Sequence, residues 1–192
     1  MWLEGITDYR NPTTDTPTNI RTIVDDLKLG ILNSTVHGAV ALWVQGIPIL
    51  FSHAGLRPRM SRLLQTEIIT QNFNIDFFDN EIEYLAGYIN FQLAEAVGPC
   101  IHLAACPMLH PIFSAGPERG GLGIGGPFWT DFGVLENISG GKLASRFLQV
   151  VGHTIAVNRI RSTPDLSAIC IDIGEARMHC MTALWIWLNY VA

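Results

Sequence analysis

Two histidines stand in matching surroundings. Phe51-Ser52-His53-Ala54-Gly55-Leu56 puts an imidazole at the end of a short apolar run, Ile47–Phe51, and just before a turn of small residues. Val150-Val151-Gly152-His153-Thr154 repeats the pattern. A side chain at the carboxyl end of a buried strand emerges from a rigid frame into a crevice, where ligands gather in α/β sheets. Neutral imidazole suits Mn, Fe or Zn, so His53 and His153 could share one divalent metal ion. The competing reading is that each is a hydrogen-bonded histidine near the core.

Between them lies the glycine-rich stretch 114–127, SAGPERGGLGIGGP. Gly121, Gly123 and Gly126 satisfy G-x-G-x-x-G literally, but a dinucleotide site needs that pattern after a strand and at the start of a helix. Here it comes after Pro117-Glu118-Arg119 and precedes Pro127-Phe128-Trp129, so a flexible flap beside the histidines is the expectation. Arg119 is a candidate for holding an anion such as a phosphate, because a guanidinium pairs two oxygens at once; its alternative is a solvated loop charge. Trp129 and Asp131 come just after the flap. Asp131 could orient a ligand or a histidine, or cap the next turn. Asp172, in Ile169-Cys-Ile-Asp172-Ile-Gly174, ends another apolar run near the presumed site. His37, His102, His110 and His179 have no motif around them, and Glu81, Glu83 and Glu95 fit the solvated side of a helix.

These residues need strands and helices to hold them. Residues 1–18 are rich in Thr, Asn and Pro and read as loop. Apolar positions at helical spacing predict two consecutive helices over 19–45, the second carrying Val36, Val40 and Trp43. Helices are further expected over 57–69, 75–97 and 142–147, and strands over 47–51, 149–152, 155–161, 168–173 and 180–188. The chain therefore divides into a helical part with one strand (19–113), the glycine-rich loop (114–127) and a mainly stranded part (128–192). The class is α/β, layered in the α+β manner, as one domain.

Composition narrows the partners. The 192 residues are 48% hydrophobic and 15% charged, with a formal net charge of -5, so no basic surface is offered to nucleic acid or an anionic membrane. The mean hydropathy is +0.27, which suits buried strands or faces awaiting a partner. No apolar stretch reaches the ~20 residues of a membrane span. The first residues lack the features of a signal peptide, and the four cysteines have no C-x-x-C spacing, so reduced thiols and a cytoplasmic location are expected.

Taken in order, four segments resemble those of the calcineurin-like metallophosphoesterases, in their bacterial-like phosphoprotein phosphatase branch. FSHAGL is similar to the family's HGGL or HAGL segment and VVGHT to its GHT segment, whose histidines bind the same metal. GGPFWTDF resembles the segment that lies over the active site, with Asp131 where relatives carry arginine. IDIG resembles the (I/L)D(T/A)G ending. The resemblance implies the C-terminal half of a four-layer αββα sandwich. It also implies a two-metal-activated water that hydrolyses phosphoserine or phosphothreonine in a phosphoprotein, or a small phosphoester.

The family's other ligands sit in GDxHG, GDxxDR and GNHE segments. Neither Gly-Asp nor Asn-His occurs in the chain, and Met1-Trp-Leu-Glu-Gly resembles the stretch immediately downstream of GNHE. Two dications ~3.5–4 Å apart need a bridging carboxylate that His53 and His153 cannot supply. The expectation is a fragment of a serine/threonine protein phosphatase, inactive alone and binding divalent metal weakly or not at all. A rival is a non-catalytic remnant that self-associates through an exposed sheet. A nucleotide-binding module using the glycine-rich loop is a second.

Overall fold

The structure, a computed structural model, describes residues 17–71, 80–97, 110–121, 123–138, 147–154 and 160–172. Within them the protein is mixed α/β, with one five-stranded sheet and four α-helices. The sheet comprises β1 (Ala39–Val44), β2 (Ile47–Ser52), β3 (Leu148–Val151), β4 (Arg161–Ser162) and β5 (Ala168–Cys170). Their order is β1-β2-β3-β5-β4; β2, β3 and β5 run parallel, and β1 and β4 pair antiparallel at the two edges. The helices are α1 (Pro17–Leu32), α2 (Pro58–Thr70), α3 (Glu81–Val97) and α4 (Phe132–Ile138).

Side chains alternate along the strands, which gives the sheet two distinct faces. On one, Ala39 and Leu50 meet the buried stripes of α2 (Met60, Leu64, Ile68) and α3 (Ile82, Leu85, Ala86, Ile89). Further along that face α4 lays Phe132 and Leu135 over Val151, Ala168 and Cys170, whose thiol is free and buried. The other face is an apolar layer of Ile49, Leu148, Val150 and Ile169, also buried. Asn90 of α3 ties the helix layer to the sheet. Its carbonyl accepts from the amides of Gly38 and Ala39 at 2.7 and 3.0 Å, and its amide donates to the Ala39 carbonyl at 2.9 Å.

The helix expected through Val36, Val40 and Trp43 is instead β1. Gln45 and Gly46 both have positive φ, 52° and 81°, which makes a two-residue turn whose twist matches a hairpin. The Ala-Val-Ala-Leu-Trp-Val run therefore folds back on β2, Val40 opposite Phe51 and Leu42 opposite Ile49. Helix α1 begins at Pro17, inside the segment expected as loop, and passes Gly30 without a break. Strand β4 is only two residues, at the end of the expected 155–161 strand; 155–159 lie outside the described residues. So do 75–79, the 180–188 strand and all of the 142–147 helix except Phe147. Helix α4 falls in a region read as mainly strands. No helix among the described residues is long and apolar enough to cross a membrane.

Candidate metal and anion site

His53 directly succeeds β2, and His153 lies two residues beyond β3, its parallel neighbour. Their rings meet edge to face and are hydrogen-bonded to each other, His53 Nε2 to His153 Nδ1 at 2.7 Å, as the competing reading expected. The backbone joins them too: the Gly152 amide donates to the His53 carbonyl at 2.9 Å. Asp172 lies just past β5, the next parallel strand, so the carboxyl ends of three neighbouring strands converge here. Trp129 closes one side, its ring 5.8 Å from that of His153.

The two loops are held differently. After His53 the chain turns through Gly55, whose φ of 91° a side chain would strain, and the Ala54 amide donates to the Pro127 carbonyl at 2.6 Å. Leu56 is clamped from both sides of its backbone by Gln149, a polar residue buried in the middle of β3. The Gln149 Oε1 accepts from Leu56 N at 2.6 Å and its Nε2 donates to Leu56 O at 3.1 Å. Beyond β3, the Thr154 amide donates to the Gly152 carbonyl at 2.8 Å, closing a three-residue γ-turn. His153 sits at its centre with φ 67°, a left-handed conformation that costs a non-glycine residue roughly 1–2 kcal/mol. Strain of that kind persists where surrounding contacts over-determine it, often at functional sites.

Desolvation pulls the pKa of both imidazoles below the ordinary histidine value, although His53 is exposed and His153 half-buried. Asp172 opposes this for His53. For His153 the nearby His53 and the Arg119 charge lower it further, while Asp131 and Asp172 pull the other way. Both rings are thus biased toward the neutral form that ligates metal. His153 Nε2 is buried without a hydrogen-bond partner among the described residues. Cis nitrogen donors at ~2.1 Å from an octahedral ion are about 3 Å apart, close to the separation of the two ring nitrogens. The pair can serve as two neighbouring ligands of one ion once the proton shared in their hydrogen bond is released. Among the described residues no group of three His, Cys, Asp or Glu side chains is placed to hold a metal.

The glycine-rich stretch is close-packed rather than an open flap. A Cβ on Gly126 would run into the backbone carbonyl of Ile112, and one on Gly121 into that of Ala115. Amides of Gly121, Gly123 and Gly126 donate to Gly116, Ala115 and Ser114 carbonyls at 3.0, 3.2 and 3.0 Å. Among the described residues no strand leads into it and no helix opens directly from it, so the dinucleotide reading has no frame. Arg57, at the start of α2, packs its guanidinium on Gly125 and pairs with Glu118.

Arg119 is exposed but paired: its Nη2 lies 2.9 Å from Asp131 Oδ2 and 3.5 Å from Thr154 Oγ1. Asp131 does the capping expected of it as well, its Oδ1 accepting from the Gly133 amide at 2.8 Å. Glu83 and Glu95 are exposed, but Glu81 is buried and accepts from Gln65 at 2.5 Å. His110 is structural: Nε2 pairs with Glu67 at 2.9 Å and Nδ1 accepts from the Ile112 amide. The contributions of Gln149 and Arg57 have no motif to reveal them. The sole hint is a glutamine inside an otherwise apolar strand. Searches against family models, curated proteins and solved structures return no match to this chain.

Proposed function

We propose that the chain carries half of a metallophosphoesterase centre, in which His53 and His153 hold one divalent ion, Mn, Fe or Zn. The observation that carries this reading is the 2.7 Å approach of the two ring nitrogens at the carboxyl ends of neighbouring parallel strands. The metal would supply a Lewis acid for a phosphoryl oxygen and an activated water. The chain's own residues hold the imidazoles neutral and fix their spacing through the Gly152–His53 hydrogen bond, while Trp129 shields one side. The buried second face of β3 and β5 supports a sheet set inside an αββα sandwich. The substrate class is a phosphoserine or phosphothreonine protein, or a small phosphoester. The two ligands found among the described residues do not make a two-metal centre, and on this reading the chain alone is inactive.

The test is a Mn²⁺ titration of the purified chain, read by the EPR signal of free Mn²⁺. Weak binding that saturates near one ion per chain, lost in His53→Ala and in His153→Ala, is expected. Equal binding by wild type and both variants refutes the reading. A second reading, a non-catalytic interaction module, is favoured by the β1–β2 hairpin, where Val40, Leu42, Trp43 and Ile47 are 39%, 46%, 51% and 38% exposed at the edge of the sheet. Metal-independent self-association in sedimentation velocity, abolished by Leu42→Lys, would select it.

A further inference from the structure

Three arginines lie near the Asp131 carboxylate beside the histidine pair, one of them in direct contact. Asp131 Oδ2 takes the direct ion pair with Arg119. Arg161 reaches the other side: its Nη2 and Asp131 Oδ1 both lie within 4 Å of the point where a Cβ on Gly133 would stand. Arg57 also feels the Asp131 charge. Two of the three have their own carboxylates, Arg57 with Glu118 and Arg161 with Glu136. Arg119 has Asp131, and both of these side chains stay about a third exposed, at 34% and 30%. Arg57 keeps a buried Nε without a partner among the described residues. Thr154 Oγ1 accepts from Phe132 N at 2.9 Å and from Arg119 Nη2 at 3.5 Å.

We propose that Asp131 is an internal stand-in for a phosphate group, holding Arg119 beside the histidines until an incoming phosphate dianion displaces it. The choice of phosphate rests on the phosphoesterase reading; the latch between Arg119 and Asp131 does not. A carboxylate offers one negative charge and two oxygens, whereas a phosphate dianion offers two charges and three oxygens to the same guanidinium. The exchange is easy because a partly exposed ion pair is weak. Oδ1 caps α4 through Gly133 while Oδ2 pairs with Arg119, so the two jobs of Asp131 can be separated. Asparagine keeps the cap acceptor and removes the charge.

The test is binding of inorganic phosphate to the full chain in EDTA, monitored by calorimetry and by ³¹P line broadening. Asp131→Asn should bind phosphate about fivefold more tightly than wild type, the equivalent of the ~1 kcal/mol upper range of an exposed pair. Arg119→Gln should bind it about tenfold more weakly, or not at all. The melting temperature of Asp131→Asn should fall by no more than about 2–4 °C, the ~1 kcal/mol of the lost pair. Phosphate binding that is absent from every variant, unchanged in Arg119→Gln, or not tightened in Asp131→Asn overturns the latch. If Mn²⁺ binds through the histidines while phosphate ignores both variants, the latch alone falls. If the phosphate pattern holds but no Mn²⁺ binds, the phosphoesterase reading falls and the latch stands.

Discussion

Replacing Gln149 by leucine should unhinge the His53 loop more than any other single change within the sheet. Its side chain is 1% exposed and serves both backbone groups of Leu56. Leucine has nearly the same bulk, so little cavity opens and packing is not the main term. Two neutral hydrogen bonds are lost, leaving a buried amide and a buried carbonyl without partners. Each orphaned group costs roughly 1–3 kcal/mol, and some of that is recovered by burying the new methyl groups. The expected loss is about 3 kcal/mol, a large share of the ~5–15 kcal/mol that holds a domain folded. With a urea slope of ~2 kcal/mol/M the unfolding midpoint should fall by about 1.5 M. The His53 ring resonance should shift in the same variant, because its loop loses the clamp. A midpoint change below ~0.3 M with an unmoved His53 resonance would show that Gln149 is not what positions the loop.

The same geometry sets three other outcomes. His153→Gly should be more stable than His153→Ala by about 1 kcal/mol in thermal melts, because glycine accepts the left-handed φ of 67° that alanine resists; equal melting temperatures would remove the strain argument. Gly126→Ala should destabilise by more than ~2 kcal/mol, since the new methyl meets backbone, which cannot rotate away; a wild-type melt would mean the stretch is slack after all. Both imidazoles have folded pKa values depressed below 6.5, so the unfolded chain binds more protons as the solution acidifies. Their contribution to stability is whole above pH 6.5 and lost as pH falls below it, a slope that the double variant His53→Gln, His153→Gln should flatten in denaturant titrations at several pH values.

The histidine pair is legible in the sequence because it rests on local patterns: an apolar run, a small residue, then an imidazole. Placing the two rings together needs only that both runs be strands of one parallel sheet. The hairpin is hidden because β1 is apolar on both faces, so Val36, Val40 and Trp43 mimic a helical stripe. The Gln-Gly turn that settles the matter is a weaker signal than Asn-Gly. Glycine richness suggests looseness, whereas Gly121 and Gly126 are there because two backbones touch. That is a tertiary fact, invisible to composition and periodicity. Helix α4 is seven residues long and too short to show a period. The ion pair of Arg119 with Asp131 can be guessed from charge alone, but not its position over Thr154.

The single hydrogen bond from the Gly152 amide to the His53 carbonyl gives the centre a built-in gauge. It is the last rung between the two strands before they part, and any widening of the gap between the rings must stretch it. Its exchange with deuterium therefore reports how often the two loops separate, and needs no optical label at the centre. A ligand that bridges the histidines would slow that one amide selectively. One that merely settles on the outer surface would leave its rate where it was.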